Sequence, residues 1–145
     1  HHDVSDHPFE QRGLLHVPVV WNGATVHAVV VHFGLIHASR MRQVQRLARF
    51  IDAEVPPDEM LVVAGDFNDW GERLDAEMAE IGLARAIDPE GGLRQRATFP
   101  SLAPVFALDR FYLRGLGCRS TMVPRGLSWA RMSDHLPLVA ELEPA

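Results

Sequence analysis

The sequence predicts an α/β (α+β) domain, a mixed and mainly antiparallel sheet with helices on one face. Three observations carry this. Trp21-Asn22-Gly23 separates two β-branched stretches, and Asn-Gly between such stretches signals a tight hairpin turn. A helical period follows in Met41, Val44, Leu47, Ala48 and Ile51. Beyond it lie short apolar runs, each closed by polar residues, the pattern of strands that end at an edge.

In chain order, His1 to Gln11 is polar and aperiodic and reads as an irregular lead-in. Leu14–Val20 and Ala24–His32 form the hairpin, with Val29-Val30-Val31 marking a strand buried on both faces. Ser39 is the expected N-cap of the helix that carries the stripe, with Arg40, Arg42, Arg46 and Arg49 mostly outward. Pro56-Pro57 stops it. Met60–Ala64 is a strand, and Gly65 lets the chain turn sharply into Asp66-Phe67-Asn68. A short helix over Leu74–Ile81 ends at Gly82. Arg85–Pro104, rich in Gly, Pro and Arg, is expected to be one long loop. Leu108–Leu113, Cys118–Met122 and Leu136–Leu142 complete the strands.

Composition narrows the class. The chain has 145 residues, 47% hydrophobic, which is one domain's worth with enough chain to bury a core. No apolar window is long enough to span a bilayer, and no leader is visible, so the expected location is cytoplasmic. A single Cys118 excludes an internal disulfide. The net charge is −5, and all 14 basic residues are Arg. A GC-rich genome gives such a bias, and Arg also suits phosphate recognition. No basic run exists of the kind that grips long nucleic acid, so the balance tilts toward a small or lipid-linked phosphoester.

Four polar clusters sit where apolar strands end: His32, the pair Asp66 and Asn68, Asp109, and Ser133-Asp134-His135. Burying a carboxylate or imidazole there costs several kcal/mol (about 2 or more) unless it is partnered. Each cluster alone also fits a duller role: His32 as a hydrogen-bonded structural residue, Gly-Asp-Phe-Asn as an Asx turn, Asp109 as a solvated edge carboxylate. Convergence of all four would make a site.

Together, Val31-His32-Phe33, Gly65-Asp66-Phe67-Asn68-Asp69-Trp70, Leu108-Asp109-Arg110-Phe111 and Ser133-Asp134-His135 resemble the successive C-terminal motifs of the endonuclease/exonuclease/phosphatase (deoxyribonuclease-I-like) superfamily. Gly-Asp-Phe-Asn and Ser-Asp-His are the specific signatures. The stretch Glu10 to His16 and Thr98-Phe99-Pro100 further look like a bacterial branch of small phosphoesterases. The resemblance implies half of a four-layer α/β/β/α sandwich. It also implies a metal-dependent phosphoester hydrolase: a phosphodiesterase, nuclease or phosphatase. In that reading Asp66 orients and activates water, and Asn68 holds the water or a phosphoryl oxygen. His135 binds the phosphate or acts as base, Asp109 fixes its tautomer, and His32 contacts the phosphate from the other side. Asp134 helps bind Mg²⁺ or Mn²⁺. Arg94 and Arg96, with Arg85, flank a loop that rims the pocket, or are solvated loop charges. Trp70 stacks on a base or sugar, or packs beneath the turn. Substrates in view are nucleic acid, an inositol phosphate or a phospholipid headgroup.

The resemblance covers only the family's second half, residues 1–145 being one domain without the first-half Asn strand and metal-binding Glu. Glu10 has the wrong context for that Glu. The chain alone is therefore expected to be weakly active or inactive, and its open sheet face to meet a missing N-terminal half or a second copy. The alternative function is a catalytically silent half-domain that binds a partner through that face. Retention of His32, Asp66, Asn68, Asp109 and His135 favours the enzyme.

Overall fold

The computed structural model describes residues 1–4, 13–88 and 96–145. Its elements run β1 (His2–Asp3), β2 (Gly13–Trp21), β3 (Ala24–His32), α1 (His37–Glu54), β4 (Met60–Asp66), α2 (Leu74–Glu80), β5 (Ala84–Arg85), β6 (Asp109–Arg114), β7 (Leu116–Met122), α3 (Leu127–Ala130) and β8 (Val139–Pro144). A six-stranded sheet has the order β1-β2-β3-β4-β6-β5, and β7 and β8 form a second, two-stranded sheet. Among the described residues only the β3–β4 pair is parallel; the other paired strands are antiparallel. That is the predicted mixed, mainly antiparallel arrangement.

The hairpin forms as Asn22-Gly23 dictates. Asn22 has φ 50° and Gly23 φ 81°, the pair of left-handed residues that matches the twist of the flanking strands. From there β2 and β3 stay in register up to Leu14 opposite Val31. The crossover α1 then returns the chain to lay β4 parallel to β3.

Helix α1 differs from expectation at its start. Its N-cap is Ile36, with no side-chain cap, and Ser39 is buried inside the first turn. Arg40, expected outward, is buried and folds back, donating from Nη1 to the Leu35 carbonyl at 2.6 Å and the Gly34 carbonyl at 3.3 Å. A guanidinium takes over the carbonyls that precede the helix, which no stripe of apolar residues reports. Val55, extended at φ −122°, ends the helix before Pro56-Pro57.

The core lies between the sheet and the helices. Leu14, Val29, Val31, Leu61, Val63 and Tyr112 of the strands meet Leu47 and Ile51 of α1 and Leu74 and Met78 of α2. Buried His27 joins this side through a polar chain: one ring nitrogen meets His16 Nε2 at 2.7 Å and the other Glu59 Oε2 at 2.5 Å. The alternate residues face away from the helices. Leu15 and Val30 are directly paired, and they remain 48% and 49% exposed; Val17 and Val19 are similar. The β7–β8 sheet lies beside this face, leaving a cleft of 530 Å³ bounded by Val19, Val26, Leu116 and Leu142.

Smaller departures remain. His2–Asp3 pairs with β2 where an irregular lead-in was expected. Short β5 and an isolated Phe99–Phe106 bridge interrupt the expected long loop. The last strand begins at Val139 rather than Leu136, because the Leu136 N–H is taken by the Thr98 carbonyl at 2.8 Å. Helix α3 was not expected.

Candidate active site

Register alone brings the first three site residues together. His32 ends β3 opposite Asp66, and Asp66 ends β4 opposite Asp109, the first residue of β6. The three therefore form one row across adjacent strand ends, at the top of the open face. The ladder continues one step past them: Phe33 N–H donates to the Asp66 carbonyl at 2.8 Å, and Phe67 N–H to the Leu108 carbonyl at 2.9 Å.

Gly65 makes the close approach of β3 and β4 possible. Its φ is 146°, and a Cβ there would lie 1.9 Å from the Val31 carbonyl oxygen. The next residues turn tightly. The Asp66 Oδ1 accepts from the Asn68 N–H at 2.8 Å, and Asn68, at φ 48°, donates from Nδ2 to the Phe33 carbonyl at 2.8 Å. The Asx turn is present, but it aims the other Asp66 oxygen into the site. Asn68 gives one Nδ2 proton to the backbone and so ties the β3 and β4 ends together.

His135 arrives from the loop before β8. Its Nδ1 lies 2.7 Å from Asp109 Oδ2, and its Nε2 4.0 Å from Asp66 Oδ2. An ionised carboxylate only accepts, so Nδ1 carries the proton and Nε2 faces Asp66. From the opposite side His32 Nε2 stands 3.4 Å from the same Asp66 oxygen. One carboxylate oxygen is thus flanked by two imidazoles, and one of those is backed by a second carboxylate.

The electrostatics follow from this crowding. Burial pushes the Asp66 carboxyl above the usual range; the Asn68 N–H pulls it down, and the nearby Asp109 charge pushes it up again. For His135 burial favours the neutral ring, but the Asp109 hydrogen bond and the charges of Asp109, Asp66 and Asp134 outweigh it and raise the pKa. The pair suits a carboxylate that shares or takes a proton beside an imidazolium.

Beneath the turn lies a buried ionic brace that the sequence reading missed. Arg110 is 2% exposed, and its Nη1 donates to Asp69 Oδ2 at 2.9 Å, its Nη2 to the Asp69 carbonyl at 2.8 Å and its Nε to the Ala107 carbonyl at 3.0 Å. Asp69 also accepts the Leu74 N–H at 2.9 Å, fixing the start of α2. Burial alone would raise the Asp69 pKa, but the Leu74 N–H and Arg110 together hold it below the usual range. The arginine directly after Asp109 was the available signal.

The remaining predicted residues are placed as follows. Trp70 is 45% exposed and packs edge-on against Phe106 at 4.8 Å and Phe99 at 5.5 Å, while Phe99 lies 4.9 Å from the His135 ring. Trp70 thus belongs to an aromatic wall next to His135. Arg96 stands 4.0 Å from Glu72, and Arg85 is paired with Glu72 at 2.7 Å and Asp75 at 3.1 Å, so both are engaged with carboxylates. Arg94 and Glu10 lie outside the described residues. Asp134 is exposed; its carboxylate lies 3.4 Å from Ser133 Oγ, and its carbonyl accepts the Ser101 N–H at 2.7 Å.

The family description "Endonuclease/Exonuclease/phosphatase family" matches residues 2–135. The chain belongs to that family. It is 35% identical over 143 residues to the protein YbhP of Escherichia coli strain K12, covering 97% of this chain and 56% of that protein. An endonuclease/exonuclease/phosphatase from Bacteroides vulgatus superposes with TM-score 0.78 at 21% identity, covering 99% of this chain and 64% of the other. Danio rerio TDP2, solved with a single-strand DNA product, gives TM-score 0.70 at 22% identity over 91% of this chain and 62% of that one. A mannosyl-6-phosphatase from Bacteroides thetaiotaomicron gives 0.66 at 16%, over 84% and 52%. The chain thus spans little more than half the length of YbhP.

A magnesium ion needs near-octahedral oxygen coordination. Asp109 Oδ2 is occupied by Thr98 and His135, and Asp66 Oδ1 by the Asn68 N–H, which leaves one oxygen on each. Among the described residues no three His, Cys, Asp or Glu side chains gather as metal ligands. These side chains offer such an ion two free carboxylate oxygens, one on Asp66 and one on Asp109, and Mg²⁺ commonly fills the rest of its octahedron with water and phosphate oxygens.

Proposed function

We propose that this chain is the C-terminal portion of a phosphoester hydrolase and carries its proton-handling residues. Enzymes of the family are generally divalent-metal dependent. Asp66 and Asp109 would each give such an ion one carboxylate oxygen, with water, substrate or residues outside the described ones completing its shell. The observation that carries the reading is the Asp109–His135–Asp66–His32 constellation, with the 2.7 Å Asp109–His135 contact at its centre.

In this reading Asp66 Oδ2 accepts a proton from the water that attacks phosphorus. His135 and His32, when protonated, hold the non-bridging oxygens with Nε2–H donors on either side. Asp109 keeps the His135 proton on Nδ1 when the ring is neutral, leaving Nε2 bare toward the reacting atoms. Trp70, with Phe106, offers an apolar surface for the organic part of the ester. Of the similar structures, one holds a single-strand DNA product and another is a mannosyl-6-phosphatase. The net charge of −5 and the engagement of Arg85 and Arg96 with carboxylates favour a small or lipid-linked phosphoester over long nucleic acid.

The open apolar face of β2 and β3 supports the C-terminal assignment, since Leu15, Val17, Val19 and Val30 are each nearly half exposed on one surface. The experiment is a panel of phosphomonoesters and phosphodiesters offered to the gene product with and without Mg²⁺ or Mn²⁺. The reading expects metal-stimulated release of phosphate or alcohol that Asp66→Asn abolishes. Turnover unaffected by that substitution would contradict it.

A further inference from the structure

Thr98 was singled out only as part of a Thr-Phe-Pro stretch, yet it sits where three segments of the site meet. It is 0% exposed. Its hydroxyl lies 2.5 Å from Asp109 Oδ2, the oxygen that also meets His135 Nδ1 at 2.7 Å. Its carbonyl accepts the N–H of Leu136, next to His135, at 2.8 Å, and its own N–H donates to the Phe106 carbonyl at 3.0 Å. One residue therefore fixes the Asp109 carboxylate through its side chain and the His135 segment through its backbone.

We propose that Thr98 is a positioning residue: its hydroxyl holds the Asp109 carboxylate with Oδ2 aimed at His135 and so fixes the His135 tautomer. A carboxylate at a strand end turns freely about its last torsion unless a donor pins it, since such torsions are broad. The Asp109 carboxylate is only an acceptor, so Thr98 and His135 both donate to it. With both donors on Oδ2, the imidazole proton stays on Nδ1 and Nε2 points to Asp66. Without the hydroxyl the carboxylate is free to swing, and the neutral ring relaxes toward the Nε2–H form that unpartnered histidine prefers. That form leaves Nδ1 without a proton to give Asp109, so the ring loses the hydrogen bond that aims Nε2 at the site. The inference deepens the proposed function, resting on His135 acting at phosphorus, but its primary test needs no turnover.

The test is ring-nitrogen NMR of His135 at a pH where the imidazole is neutral, in the wild type, Thr98→Val and Thr98→Ser, with His135→Gln to assign the signals and circular dichroism to confirm folding. Valine keeps the volume and removes the hydroxyl; serine keeps the hydroxyl and removes a methyl. The wild type and Thr98→Ser are expected to show the Nδ1–H tautomer, and Thr98→Val a mixture or the Nε2–H form. Retention of Nδ1–H in Thr98→Val overturns the proposal. So does loss of it in Thr98→Ser alone, which would make packing the cause. In a turnover assay of the gene product, Thr98→Val is expected to lower kcat about tenfold with KM nearly unchanged, and Thr98→Ser to restore it. An inactive wild type would count against the hydrolase reading and leave the tautomer result to decide this one.

Discussion

Replacing Arg110 with Met tests whether the turn that carries Asp66 and Asn68 is held by charge. The Arg110 and Asp69 side chains are each 1% exposed, and the pair lies 2.9 Å apart. Removing the guanidinium leaves Asp69 buried with one backbone donor, the Leu74 N–H at 2.9 Å, and one distant cation, Arg40 at 4.0 Å. Breaking one side of a buried pair costs about 3–5 kcal/mol. Arg40 is itself buried and already committed to the Gly34 and Leu35 carbonyls, so it offsets part of the loss and places the expectation near 3 kcal/mol. Against a typical stability of about 5–15 kcal/mol, that shifts the urea midpoint visibly with little change in slope. Adding Asp69→Asn removes the orphaned charge while keeping an acceptor for Leu74, so the double variant should recover at least about 1 kcal/mol over Arg110→Met. The assay is equilibrium urea unfolding of the wild type, Arg110→Met and the double variant. A single-variant loss below about 1 kcal/mol, or a double variant less stable than Arg110→Met, would refute the reasoning.

Other consequences are open to direct measurement. Gly65→Ala drives a Cβ to 1.9 Å from the Val31 carbonyl at a φ of 146°, so a loss of about 3 kcal/mol or more is expected in thermal or urea unfolding. A near-neutral result would mean that β3 and β4 are spaced differently at their ends. Two groups also each contribute, in separate pH windows, a decline in stability on acidification, opposed by His135 and Asp66, whose pKa values are raised. The His16 pKa is lowered by burial and by His27, so the unfolded chain binds that proton first and stability falls as pH drops below the ordinary histidine value of about 6.5. The Asp69 pKa is also lowered, so its contribution is present above the ordinary carboxyl value of about 3.9 and is lost as pH falls through its folded value. His16→Gln should flatten the upper window and Asp69→Asn the lower one in unfolding followed against pH; unchanged profiles would count against both assignments.

Much of the site was legible because it is written in strand ends. His32, Asp66 and Asp109 each close or open an apolar run, and sheet register does the rest by pairing His32 with Asp66 and Asp66 with Asp109. The hairpin was legible because Asn22-Gly23 admits few alternatives. Thr98 and Arg110 were not, because their roles depend on partners about 11 and 41 positions away, which local periodicity does not encode. The helix start failed for the same reason. Ser39 had the chemistry of a cap, but Arg40 reaches back to the Gly34 and Leu35 carbonyls and the helix begins two residues before Ser39. The expected start of the last strand at Leu136 failed because Thr98 claims the Leu136 N–H from outside the sheet.

The proposed function has Asp66 and His135 acting together at one phosphorus. Its most direct test is hydrolysis of bis-p-nitrophenyl phosphate by the gene product, comparing Asp66→Asn and His135→Gln with an exposed control, His37→Gln. Each site variant is expected to lose about 10²–10⁴-fold in kcat while remaining folded, with the control unchanged. The double variant should be little worse than either single one, as groups that act as a unit lose their effect together. Site variants within a factor of about two of the wild type would contradict the claim.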